Sequence, residues 1–211
     1  MALFRDRQDA AGRLAEKLGN YAGTAAVVLG LPRGGVPVAA GVAAKLGLPL
    51  DVFIVRKLGV PGYPELAMGA IATGGVRVMN HAIVREFGIA DDAIDAVAQS
   101  EAAELERREA VYRGDRAPLD VQGKTVILVD DGLATGATML AAVRALRARH
   151  AGRIVVAVPV GAPETCTMLT EEADEVVCAA APQPFLAVGH WYQDFAQTSD
   201  DEVAALLRNP V

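Results

Sequence analysis

The sequence predicts an α/β fold, a parallel sheet flanked by helices. Three observations predict it. Five short apolar runs rich in valine and isoleucine lack the alternation of a half-exposed strand, helical apolar stripes separate most of them, and one run ends in two acids before a loop of small residues that opens a helix. Strands without alternation suit a sheet buried on both faces, and strand and helix in turn suit parallel crossovers.

In chain order, residues 5 to 18 place Ala11, Leu14 and Leu18 on one face of an amphipathic helix. Ala25 to Leu29 reads as the first core strand, residues 36 to 46 as a helix, and Leu50 to Val55 as the next strand. Residues 58 to 75 hold Pro61, Gly62, Pro64, Gly69, Gly74 and Gly75, which suits a mobile cover, and residues 67 to 79 read as a hairpin turning at Gly74-Gly75. Residues 91 to 113 read as a long helix, with Asp91 and Asp92 at its N-terminus and Glu104 four residues before Arg108. Thr125 to Asp130 is a strand. The stripe Met139, Leu140, Val143, Leu146 is a helix with Arg144, Arg147 and Arg149 off it. Arg153 to Val158 is a strand, 163 to 170 a short helix, and Glu175 to Cys178 a strand. Ser199-Asp-Asp-Glu202 is a capping box opening a last helix with Val203, Leu206 and Leu207.

Composition narrows the function. The chain has 211 residues, 52% of them hydrophobic, enough for one domain with a substantial core, and no linker or repeat divides it. Its 20 basic and 26 acidic residues leave a net charge of −6, which gives no general attraction for nucleic acid or anionic lipid. The longest stretch free of Asp, Glu, Lys and Arg, Val176 to Gln193, contains two prolines, Pro182 and Pro184, so no membrane span is expected. The N-terminus MALFRDRQD has no apolar core of a signal peptide, and the expected compartment is cytoplasmic. Cys166 and Cys178 form no Cys-x-x-Cys pair and read as two buried thiols, without a disulfide framework or zinc site.

The chemistry concentrates in Asp130-Asp131-Gly132-Leu133-Ala134-Thr135-Gly136-Ala137-Thr138. In open parallel sheets ligands bind beyond the carboxyl ends of the strands, and a helix start offers free N–H groups and a positive dipole end to a phosphate. Gly136 permits close backbone approach, Thr135 and Thr138 add hydroxyl donors, and the two acids can accept from a diol. Together these suit a sugar phosphate. An acidic pair can also simply cap a helix, but strand, acids, small loop and helix occur here as one arrangement.

Residues 129 to 138 resemble the phosphoribosyl pyrophosphate (PRPP) motif of type I phosphoribosyltransferases, closest to that of the adenine enzymes. Leu31-Pro-Arg-Gly-Gly35, Arg56-Lys57, Glu65 to Ala70 and Trp191 to Phe195 resemble a bacterial branch of that superfamily. The resemblance implies one phosphoribosyltransferase domain over 1–211, with a core of about 22–180 and a small hood from about 1–21 and 181–211. It implies transfer of ribose 5-phosphate from PRPP to a small nitrogenous base, with release of pyrophosphate, dependence on Mg2+, a place in nucleobase salvage, and a homodimer.

The same resemblance assigns residues. Asp130 and Asp131 would hold the ribose hydroxyls and touch the metal, mainly through water, and Ala134, Thr135, Gly136, Ala137 and Thr138 would wrap the 5-phosphate. Arg33, Gly34 and Gly35 match the pyrophosphate loop, whose relatives often contain a strained peptide bond, and Lys57 matches a basic position beside it. Arg56 and Lys57 are strand neighbours and point to opposite faces, so only one can reach that site. Glu65 is the candidate for assisting the base, although an exposed loop acid is its commoner reading. Trp191 and Asp194 would meet the base by stacking and hydrogen bonding, although an accessory core anchoring the tail is the stronger reading of the aromatics. Ala134 stands where 6-oxopurine enzymes carry a proton-exchanging Asp, which speaks against a hypoxanthine or guanine enzyme. Arg7, Arg77 and Arg85 read as solvated surface charges. The alternative function is a PRPP-sensing regulator without catalysis; a PRPP synthetase relative ranks last.

Overall fold

The computed structural model describes residues 2–208. Its main sheet has five parallel strands, β1 (Val27–Gly30), β2 (Leu50–Val52), β6 (Thr125–Val129), β7 (Arg153–Val160) and β8 (Glu175–Ala180), in the order β2-β1-β6-β7-β8. These are the five apolar runs. Their missing alternation has a direct cause, because both faces of the sheet are covered. Val28, Ile127 and Val155 face α1 (Arg7–Lys17) and α2 (Gly35–Leu46). Their neighbours Val27, Val126 and Val156 face α5 (Ala137–Ala148).

The chain enters the sheet at β1, steps outward to β2, and returns on the other side of β1 at β6. The order therefore reverses between β1 and β6, and the helices that follow those two strands, α2 and α5, lie on opposite faces of the sheet. Such a switch point opens a crevice at the carboxyl end of the sheet.

A second, antiparallel sheet projects between β2 and β6. It comprises β3 (Val55–Val60), β4 (Tyr63–Ala72) and β5 (Val76–Met79). The run Leu50 to Val55 is thus not one strand. Phe53 N–H still bonds to Gly30 in the main sheet, but Ile54 N–H goes to the Thr73 hydroxyl and carries the chain into the second sheet. The segment expected as an irregular cover forms regular strands as well. Pro61 and Gly62, with φ of +83° at the glycine, turn β3 into β4, and Gly74 and Gly75 turn β4 into β5 as expected.

Helix α3 (His81–Glu86) follows, then α4 (Asp91–Arg113), whose last residue is buried. Arg113 pairs with buried Asp51 at 2.9 Å, and so ties the end of α4 to β2. Asp51 also accepts from the Leu119 and Val52 amides, which leaves this buried acid well satisfied. Helix α6 (Pro163–Leu169) joins β7 to β8. Helix α7 (Asp200–Arg208) opens on the expected capping box, with Ser199 N–H to Glu202 at 2.7 Å and Glu202 N–H to Ser199 Oγ at 3.1 Å. Among the described residues no helix is long and apolar enough to cross a membrane.

The cysteines depart from expectation. Cys166 on α6 and Cys178 on β8 are half-buried and joined as a disulfide, with Cα atoms 6.7 Å apart. The packing of α6 against β8 brings them within reach, which their spacing in sequence could not reveal.

Candidate functional site

The loops after β1 and β6 meet at the switch point. After β6 the chain passes Asp130 and Asp131 and enters α5 at Gly136, whose φ of +73° is the left-handed region that glycine occupies without penalty. A side chain there would also meet Thr165 at 2.5 Å. The loop is held from outside: Leu133 N–H bonds to Val160, Ala162 N–H to Leu133, and the Thr165 hydroxyl donates to the Ala134 carbonyl at 2.6 Å. Its own donors are left over. Among the described residues no backbone N–H from Ala134 to Thr138 has a protein acceptor, and α5 has no side-chain cap. Ala134, Thr135, Ala137 and Thr138 are exposed. An uncapped, open helix start, a cup of free donors at the positive dipole end, can take an anion.

Asp130 and Asp131 flank the cup. One Asp130 oxygen accepts the Asp131 N–H at 2.8 Å. Burial, and next the charge of Asp131, push the Asp130 carboxyl well above its ordinary range. Burial raises Asp131 too, opposed by the hydrogen bond from Arg7.

The loop after β1 is pressed against these acids. A Cβ on Gly34 would lie 1.9 Å from an Asp131 carboxylate oxygen, and one on Gly35 would lie 2.8 Å from the Asp130 backbone. Space therefore demands both glycines, since Gly34 has an ordinary φ of −62°. The Pro32–Arg33 peptide bond is cis. The amides of Arg33 and Gly34, like those of the cup, have no acceptor among the described residues. The Arg33 side chain approaches Asp200 at the start of α7, 3.8 Å off.

Other sequence-predicted residues are more dispersed. Lys57 lies within β3. Arg56 pairs with Glu101 of α4 at 2.6 Å, Lys57 lines a cleft of about 180 Å³ with Ala137 and Arg144 of α5, and both residues line a second cleft beside Glu65 and Glu101. Glu65 sits on β4 with its side chain 95% exposed, its nearest partner Lys57 at 3.8 Å. It is far more solvated than a base-assisting acid needs to be. Trp191 belongs to the anchoring cluster with Phe4, Phe185, Val188 and Tyr192, and its buried indole N–H has no partner among the described residues. Asp194 is exposed and accepts from Ala196 N–H at 3.1 Å, lining a separate cleft between α1, α2 and α7. The structure thus brings Arg33–Gly35, Asp130–Asp131 and residues 134–138 together, and leaves Glu65, Trp191 and Asp194 outside that group.

Residues 3–5 pair with residues 191–194. Leu3 and Phe4 N–H both bond to the Trp191 carbonyl, Gln193 N–H to Phe4, and Asp194 N–H to Arg5. This junction delivers two groups that sequence reading missed. Arg7 is no solvated charge: its Nη2 lies 2.8 Å from Asp131, and its side chain is 13% exposed. The Tyr192 hydroxyl donates to the Asp131 carbonyl at 2.6 Å. Burial and the nearby acid push that phenol upward, so it stays a protonated donor. The only sequence signal for Arg7 is the cap at Asp6, whose carboxylate accepts from Gln8 and Asp9 N–H and starts α1 there.

No group of three or more His, Cys, Asp or Glu gathers to hold a metal among the described residues. At this site only Asp130 and Asp131 offer carboxylate oxygens. That donor set suits a hydrated Mg2+ that takes most of its ligands from substrate phosphates and water.

The model of the phosphoribosyl transferase domain family matches residues 4–184. The Mycobacterium tuberculosis H37Rv protein Rv0571c, which bears the name of a phosphoribosyl transferase, is 51% identical over 207 residues, covering 98% of this chain and 47% of its own length. The chain thus spans about half the length of the curated relatives it matches. The crystal structure of TT1426 from Thermus thermophilus is 45% identical, with a TM-score of 0.88 and 98% of each chain covered. A uracil phosphoribosyltransferase of Nocardioides sp. JS614 is 38% identical over 69 residues, 33% of this chain and 32% of its own length.

Proposed function

The chain belongs to the phosphoribosyl transferase family, and from that premise we propose that it transfers ribose 5-phosphate from PRPP to a nitrogenous base, releasing pyrophosphate. The observation that carries this reading is the open cup, where the amides of Ala134 to Thr138 have no acceptor among the described residues beside two acids at the switch point. Phosphate in the cup would place the ribose diol at Asp130 and Asp131. The leaving pyrophosphate would then lie toward the Arg33 and Gly34 amides, which are also without acceptors among the described residues.

Little covalent chemistry is asked of the protein. It must align sugar and base and stabilise charge growing on pyrophosphate. Oriented amides do this without rearrangement, and Lys57 adds a positive charge from the neighbouring cleft. Asp130 and Asp131 would hold Mg2+ directly or through water, and the ion would supply countercharge to the phosphates. Glu65, Trp191 and Asp194 carry no step in this scheme. Ala134 offers no proton-exchanging side chain, which argues against the 6-oxopurines as acceptors. The reading carries with it a homodimer in cytoplasmic nucleobase salvage and a single domain over 1–211.

The test is a panel of bases incubated with Mg-PRPP, following pyrophosphate release against a control without base. Release that depends on one class of base supports transfer. PRPP binding with no release for any base turns the reading to a sensor, and absence of PRPP binding overturns it.

A further inference from the structure

We propose that Arg7 is a positioning residue for the sugar end of this site: it fixes which oxygen of Asp131 is presented to the ribose diol. The proposal rests on the reading of Asp130 and Asp131 as diol acceptors. Arg7 Nε and Nη2 both donate to the same oxygen, Oδ2, at 3.0 and 2.8 Å. That oxygen is also the one packed against Gly34. No other described residue donates to Oδ1. A carboxylate gripped at one oxygen by two charge-assisted bonds cannot rotate freely, so its second oxygen keeps a set direction.

The grip is itself immobilised. Arg7 Nη1 donates to the Ala196 carbonyl at 2.7 Å, and the guanidinium lies 4.1 Å from the Phe195 ring centre. Its backbone opens α1, whose Ala10, Ala11 and Leu14 are buried in the protein. The Tyr192 hydroxyl pins the Asp131 backbone from the same side. Both chain ends thus converge on one acid, although neither supplies an acceptor for the sugar there. A diol needs two acceptors at a set separation, and Arg7 sets the position of one. This gives the hood a role in reading the sugar that does not depend on the base.

The test compares wild type, Arg7→Gln and Arg7→Lys by calorimetry with ribose 5-phosphate, its 2-deoxy and 3-deoxy counterparts, and inorganic phosphate. Wild type should prefer ribose 5-phosphate over the deoxy sugars by about tenfold to a hundredfold, the size of one hydrogen bond to a charged group. In Arg7→Gln the preference over at least one deoxy sugar should fall toward one, with phosphate affinity unchanged. Arg7→Lys keeps the charge but not the two-pronged grip, so it should not restore the preference. Both preferences surviving in Arg7→Gln, or full rescue by Lys, overturns the proposal. So does an equal loss of sugar phosphate and inorganic phosphate, which is what a merely structural role would give. Phe195→Leu, at a half-exposed ring, provides a milder variant should Arg7→Gln fail to fold; its expected effect is a reduced preference, and an unchanged one counts against Arg7. Wild type that binds none of these ligands sinks the functional reading itself.

Discussion

The cup at residues 134–138 and the hood junction at residues 3–7 and 191–196 lie on either side of Asp131, yet they treat backbone polarity in opposite ways. In the cup, consecutive amides are left without protein acceptors and the side chains are exposed. In the hood, amides and carbonyls are used up in joining two segments far apart in sequence, and Phe4 and Tyr192 are buried. Unpaired amides at an open helix start are available to a ligand, whereas paired ones are not. The hood's pairing identifies a scaffold. The difference teaches that proximity to the site does not make a residue part of it: Trp191 anchors, whereas Arg7, from the same junction, reaches the acid.

The comparison can be broken most severely at the point where both loops meet. Gly34→Ala drives a Cβ into Asp131. It should abolish measurable PRPP binding and cost about 1–3 kcal/mol of stability by overpacking, as seen in paired calorimetry and thermal denaturation. Asp131→Asn keeps the shape but removes the charge held by Arg7. PRPP affinity should fall by about tenfold to a hundredfold, the range expected for hydrogen bonds to a charged group, while circular dichroism stays native. Unchanged PRPP affinity in this variant would remove Asp131 from the site. Tyr192→Phe deletes only the hood's hydrogen bond to the Asp131 backbone. A melting shift equivalent to about 1 kcal/mol is expected, with a change in PRPP affinity of less than about tenfold. Ser199→Ala sharpens the contrast from the far side. Loss of the α7 capping box should cost about 1 kcal/mol in denaturant melts yet leave PRPP affinity at the wild-type value.

Much of this arrangement was legible beforehand. The five core strands, the capping box at Ser199 and the cup with its two acids are written in contiguous stretches. Local rules suffice there, because a buried strand, a left-handed glycine and an uncapped helix start each depend on near neighbours. The misreadings have a common cause in long-range pairing. Residues 58 to 75 look irregular by composition, but Pro61, Gly62, Gly74 and Gly75 sit at turns, and Gly69 lies inside β4 where it pairs with both neighbouring strands. Leu50 to Val55 looks like one strand until the Thr73 hydroxyl draws Ile54 away. The disulfide depends on α6 lying against β8.

The sequence by itself therefore determined the strands of the main sheet, most of the helices and the run of strand, two acids, small loop and helix at residues 125–148, since apolar periodicity and turn chemistry act over a few residues. Tertiary structure alone decided that Gly34 is a matter of space rather than of backbone angle, that the Arg33 side chain approaches Asp200, and that Arg7 enters the site. Those outcomes depend on groups about a hundred residues apart being pressed together by a common core, and no local pattern encodes that separation.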